Sequence, residues 1–145
     1  MSADANMMTG GCLCGAVRFT AAPRNRHVDT CHCAMCRRWS AGPMFTLDCG
    51  STVKVDDSTQ LGVYRSSEWA ERCFCKQCGT SLFYRLVGKG FHAVSAETFD
   101  DRSGYAFTTQ IFTDEKPGYY DFANKTKMMT GAEVFAAFAS SEVKG

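Results

Sequence analysis

The sequence has almost no net charge: sixteen basic residues against fifteen acidic ones leave +1 over 145 residues. Without a basic patch it offers no electrostatic footprint to a phosphate backbone or an anionic bilayer, so neither nucleic acid nor a membrane is expected as partner. It lacks any uninterrupted apolar run of bilayer-spanning length, which excludes a transmembrane helix. The opening MSADANMMTG has neither a basic nor an apolar segment, so the expectation is a chain without a cleaved leader, working in the cytoplasm. With three prolines and no low-complexity tract, no linker is expected and 1–145 reads as one domain. Histidine is scarce too, and His27 and His92 have no partner at metal-ligand spacing.

Cysteine is the residue in excess. There are nine, an odd number in a chain with no sign of export, which argues against a fully paired disulfide framework. They fall as Cys12 and Cys14, then Cys31, Cys33 and Cys36, then Cys73, Cys75 and Cys78, with Cys49 alone. Cysteines one or two residues apart are badly placed to bridge one another, because a disulfide needs Cα atoms about 5.5 Å apart in a specific torsion. They are well placed to share a metal.

A C-x-x-C turn projects two sulfurs to one side, as in a zinc knuckle, and a C-x-C pair in extended backbone puts both side chains on one face. Cys12, Cys14, Cys75 and Cys78 therefore supply four thiolates from two distant segments, enough to saturate a structural zinc whose binding, on the order of 10 kcal/mol, couples to folding. Cys31, Cys33 and Cys36 supply three from six residues, leaving a vertex for water or an incoming thiol. Zinc with three thiolates carries about −1, a poor Lewis acid but a good holder of a substrate thiolate. Two zinc ions per chain are expected. Counting thiolates alone, Cys73 could also join the second site and close it. His32, between two ligands, should point away from the metal, and Cys49 reads as a bystander. Arg37, Arg38 and Trp39 follow Cys36 and could wall a pocket for an anion, with Lys76 a further candidate for its carboxylates.

Strand signals dominate the rest. Val17 and Phe19 alternate with Arg18 and Thr20, Phe45 and Leu47 with Met44 and Thr46, and Val53 and Val55 with Thr52 and Lys54. The run at 82–87 alternates apolar residues on both faces and reads as covered on both sides. Further short strands are expected at 61–65, 91–95 and 108–112. One helix is expected over 130–140, with Thr130 and Glu133 as a capping box, Met129 against Val134 as a staple, and Val134, Phe135 and Phe138 as a stripe packing on the sheet. The fold class is thus mainly β, of short antiparallel strands with a C-terminal helix.

Three blocks, GGCLCGAVRF at 10–19, CHCAMCRRWSAG at 31–42 and FCKQCGTSL at 74–82, resemble the hallmark motifs of the glutathione-dependent formaldehyde-activating enzyme family. The likeness spans roughly 9–122. It implies a small zinc-bound β-tent fold, with Cys12, Cys14, Cys75 and Cys78 matching the structural ligands and Cys31, Cys33 and Cys36 the catalytic ones. It also implies a carbon–sulfur lyase-type activity in which glutathione adds to formaldehyde to give S-hydroxymethylglutathione. Two positions depart from the family pattern: Cys73 stands where a small residue is usual, and Gln110 where many members have histidine. Because a fold does not dictate a reaction, a carrier of glutathione adducts and a purely structural zinc domain stand beside the enzyme. A methionine sulfoxide reductase would need a reactive Cys49 or Cys73.

Overall fold

The computed structural model of the chain describes residues 6–144, and the side chains of these up to Ala139. Strands β1 (Met8–Gly11), β2 (Arg18–Ala21), β3 (His27–Cys31), β4 (Met44–Asp48), β5 (Lys54–Val55), β6 (Leu61–Arg65), β7 (Ala70–Cys75), β8 (Ser81–Leu86), β9 (Phe91–Ser95), β10 (Ala106–Ile111) and β11 (Lys127–Met129) are joined by turns, loops and one helix, and a second helix follows the last strand. Helix α1 is Ala34–Ser40 and helix α2 is Gly131–Lys144. The protein is mainly β. Its chain forms two compact units, one of Met1–Arg26 with Thr46–Tyr105 and the other of His27–Phe45 with Ala106–Gly145.

In the first unit β1, β2 and β5 form a small antiparallel sheet. Strands β6 to β9 form an antiparallel meander, and Thr46, Leu47 and Asp48 of β4 pair on its β9 side. The period-two pattern explains the core: Phe19 and Ala21 point inward while Arg18 and Thr20 stay half-exposed. Neighbouring Leu82 and Phe83 are both fully buried, so β8 is covered on both faces, as its doubly apolar sequence requires. Phe19 meets Phe99 edge to face with ring centroids 5.5 Å apart, and burying each such ring stabilises the unit by about 2–3 kcal/mol.

The second unit differs in the direction of its pairing. β3 pairs parallel with β10, and β10 parallel with β11, whereas antiparallel strands were expected throughout. Parallel neighbours cannot be joined by a hairpin, and here the whole stretch from β4 to β9 intervenes between β3 and β10. The strand β4 crosses from one unit to the other at Phe45 and Thr46. Its burial follows: Met44 and Leu47 are buried and Phe45 is not, so the expected inward pair Phe45 and Leu47 is replaced by residues three apart. Phe45, Phe107 and Phe122 form an edge-to-face aromatic cluster with centroids 5.2–5.6 Å apart.

Helix α2 begins at the expected capping box: the Thr130 backbone N–H donates to Glu133 Oε1 at 2.8 Å, and the Glu133 N–H to Thr130 Oγ1 at 3.3 Å. It runs on to Lys144, past the expected end at 140. Its apolar stripe is only partly used. Phe135 touches Phe112 edge-on at 5.7 Å yet is 58% exposed, and Phe138 is 40% exposed. The first turn is held close, where Gly131 lies against the Phe112 ring and donates to Asp114 Oδ1 at 2.8 Å. No helix among the described residues is long and apolar enough to cross a membrane.

Candidate metal centres

In the first unit the sulfurs of Cys12, Cys14, Cys75 and Cys78 all lie within 4.8 Å of one another. Cys12 and Cys14 are not on an extended strand, as the C-x-C spacing suggested. Two residues of extended chain would hold their Cα atoms about 6.6 Å apart. Instead the chain turns, with the Gly15 N–H donating to the Cys12 carbonyl at 3.2 Å and Gly15 at φ +83°, and the two sulfurs come to 3.6 Å. The second pair sits on a knuckle after β7: the N–H groups of Gln77 and Cys78 both point at Cys75 Sγ, each at 3.3 Å, and Gly79 at φ +81° turns the chain away. The Val17 N–H donates to Cys12 Sγ at 3.2 Å, and Leu13 N–H to Thr80 Oγ1 at 3.0 Å stitches one turn to the other.

The second cluster, Cys31, Cys33 and Cys36, also has its sulfurs within 4.8 Å of one another. Cys31 ends β3, and Cys33 is the N-cap of α1, its sulfur accepting the Cys36 N–H at 3.4 Å. The Cys33 N–H points at Cys31 Sγ at 3.5 Å. Backbone donors at a helix start favour negative charge on these sulfurs. Cys73 belongs to neither cluster: it is fully buried in β7, opposite Val63 and Phe83.

Both donor sets fit a soft, tetrahedrally bound metal. All nine cysteines are free, and sulfurs 3.6–3.8 Å apart are far from disulfide distance. Hydrogen bonding to Cys33 and Cys36, burial, and the like charges of both push the Cys31 thiol far up when no cation is present. Three thiolates cannot stand together without one. In the first cluster Cys78 goes the other way, pulled down to about 5 by the Thr80 hydroxyl and N–H. An all-sulfur donor set of four and of three can hold two metal ions per chain, and thiolates select zinc over hard cations.

His32 is not part of the cluster's donor set. It is fully buried, with Tyr120 donating its hydroxyl to Nδ1 at 2.7 Å and Nε2–H donating to Gln110 Oε1 at 2.8 Å. Loss of water pushes the Tyr120 hydroxyl above its ordinary range, against the pull of Arg37, so it stays a proton donor. The Arg37 Nε donates to the His32 carbonyl at 2.8 Å. Ala34, Arg37, Arg38, Ala41, Gly42 and Tyr119 line a pocket of about 360 Å³. Lys76 is not among them; it is exposed on the knuckle between Cys75 and Cys78. Tyr119, Tyr120 and Gln110 were missed as pocket or cluster neighbours. Nothing in their spacing marks them, although Gln110 had stood out as a departure from the family pattern.

The two remaining thiols are quiet. Burial, with Asp48 adding to it, pushes Cys49 up to about 12, and burial pushes Cys73 up to about 11 against Arg85. Neither is the exposed, low-pKa thiol that a redox nucleophile needs.

A sequence model of one known family, described as "Glutathione-dependent formaldehyde-activating enzyme", matches residues 7–115. An uncharacterized lyase of Schizosaccharomyces pombe is 39% identical over 126 residues, 86% of this chain and 92% of that one. A Halomonas elongata protein, provisionally named a glutathione-dependent formaldehyde-activating enzyme, is 27% identical over 86 residues, 53% of this chain and 55% of that one. A crystal structure of a Rhodobacter sphaeroides protein matches in fold with a TM-score of 0.56 at 24% identity, over 64% of this chain and 88% of that one.

Proposed function

The chain belongs to the glutathione-dependent formaldehyde-activating enzyme family, and from that premise we propose that it is a carbon–sulfur lyase-type enzyme joining glutathione to formaldehyde as S-hydroxymethylglutathione. The observation that carries this reading is the unequal pair of clusters: the cluster of Cys31, Cys33 and Cys36 has one sulfur fewer than the other, and the same helix goes on to present Arg37 and Arg38 to a pocket.

In this reading Cys12, Cys14, Cys75 and Cys78 hold a structural zinc, and Cys31, Cys33 and Cys36 a catalytic one. Zinc with three thiolates supplies a place where a fourth sulfur stays ionised near neutral pH. Arg38, exposed and facing the pocket, and Arg37, steadied by the His32 carbonyl, bind the carboxylates of glutathione. Tyr119 forms the rim. The sulfur adds to the aldehyde carbon, a C–S bond replaces the C=O π bond, and the proton lost from sulfur ends on the new hydroxyl oxygen. The quiet Cys49 and Cys73 weigh against a sulfoxide reductase, and nine free thiols suit a reducing, cytoplasmic setting.

The test is binding of glutathione, S-methylglutathione and oxidised glutathione to the zinc-loaded chain, together with exchange between free formaldehyde and the adduct followed by NMR. Glutathione should bind at least about tenfold more tightly than the two that lack a free thiol, and exchange should run above the uncatalysed rate. Equal affinity for all three would sink the thiolate reading. Tight glutathione binding without faster exchange would make the protein a carrier.

A further inference from the structure

We infer that His32 is a positioning residue for the second cluster: it takes no place in the metal's donor set, yet it determines where the Cys31 and Cys33 sulfurs and the Arg37 guanidinium stand. The inference rests on Cys31, Cys33 and Cys36 being metal ligands, and not on the reaction.

Every polar group of His32 is engaged. Its N–H donates to the Ile111 carbonyl at 3.1 Å and its carbonyl accepts from Arg37 Nε at 2.8 Å. Its two ring nitrogens are held by Tyr120 at 2.7 Å and Gln110 at 2.8 Å. The chain of bonds continues, with Gln110 Nε2 donating to Thr126 Oγ1 at 2.9 Å. The ring also lies 5.5 Å from that of Tyr120 and 6.0 Å from that of Phe122. A residue clamped at four points between two cysteines leaves the flanking backbone torsions little freedom, and in extended chain its side chain and theirs point to opposite sides.

An ordinary core position would not be built this way. An apolar side chain could fill a fully buried site between two ligands without partners, whereas imidazole there obliges Gln110, itself 3% exposed, and Tyr120 to be in register with it. That register spans three chain segments: the residue after β3, β10 and the stretch holding Tyr120. Groups that orient a metal's ligands typically change its affinity by about 10–100-fold when removed. Since none of these bonds touches Cys12, Cys14, Cys75 or Cys78, removing one should be felt at one cluster only.

The experiment is a zinc competition titration of the full, zinc-loaded chain with a chromogenic chelator, in which each cluster gives its own release step; Cys33→Ser identifies the step of the second cluster. Tyr120→Phe removes a single oxygen, and Gln110→Leu removes the other ring partner. Each should weaken the second-cluster step about tenfold and leave the first-cluster step in place. If Gln110→Leu does not fold, Tyr120→Phe alone decides. An unmoved second step, or both steps moving together, would overturn the inference. A protein that lacks glutathione chemistry would still give this result, so the two readings fail separately.

Discussion

The two cysteine clusters are made of the same atoms and built by different means. Cys12 and Cys14 reach Cys75 and Cys78 across more than sixty residues of chain, joined by hydrogen bonds such as Leu13 N–H to Thr80 Oγ1. Cys31, Cys33 and Cys36 lie on one strand end and the first turn of one helix. A metal in the first cluster closes a long loop and so adds to stability, because the loop's entropy is lost only on folding. A metal in the second closes almost none. In the reading proposed above, its geometry is set by neighbours such as His32 rather than by the metal, as a site that exchanges a ligand would require.

The largest effect should come from breaking the first cluster. Cys12→Ser or Cys78→Ser should abolish the cooperative unfolding transition, since zinc binding there is worth on the order of 10 kcal/mol. Cys33→Ser should stay folded and bind one metal fewer. Circular dichroism with metal analysis checks both, and equal unfolding from all three would erase the difference between the clusters.

A smaller contrast sits in two glycines. A Cβ on Gly10, beside the first cluster, would lie 2.5 Å from Phe19 Cζ and 2.6 Å from the Thr98 carbonyl oxygen. Gly10→Ala should cost about 2 kcal/mol in urea unfolding, because a backbone atom cannot swing aside. A Cβ on Gly131, at the start of α2, would lie 2.8 Å from the Phe112 ring and 3.8 Å from Asp114 Oδ1, both side chains. There a side chain and not backbone has to give way, and Gly131→Ala should cost under about 1 kcal/mol. Equal costs would mean that the first unit is no more tightly built around its cluster than the second.

The smallest effect concerns Asp100, which pairs with Arg18 on the strand leading out of the first cysteine turn. Arg18 and the Thr9 hydroxyl hold its carboxyl down to about 2, below an ordinary value of about 3.9. The folded-state value is depressed, so the contribution is full above about pH 4 and is lost as pH falls toward 2. Both side chains are substantially exposed, so Asp100→Asn should lower Tm by only about 2 °C at pH 7. Melting curves at pH 7 from low to high salt should show the gap narrowing as the exposed pair is screened; a gap independent of salt would mean the charge is not what matters.

Much of this was legible from pattern. Strands β6 and β9 fall at the expected 61–65 and 91–95, and the Thr130 and Glu133 capping box forms as its spacing demands. These are local rules, in which a residue's neighbours along the chain decide its state. Strands β3 and β7 and helix α1 were not anticipated, because the cysteine motifs within or beside them read as loops. Nor was the exposure of Phe135 and Phe138, since an apolar stripe says that a helix can be covered but not that it is.

The grouping of the thiols was set by the sequence itself: C-x-C and C-x-x-C spacings leave few other ways to satisfy so many sulfurs, and the structure gathers four and three of them. Tertiary structure alone decided that Cys73 stands apart, buried between Val63 and Phe83, because strand register and not spacing chooses its neighbours. It decided likewise that His32 is gripped by Gln110 and Tyr120, more than seventy residues away along the chain. No local pattern can encode a contact whose partners meet only after β3 and β10 have paired.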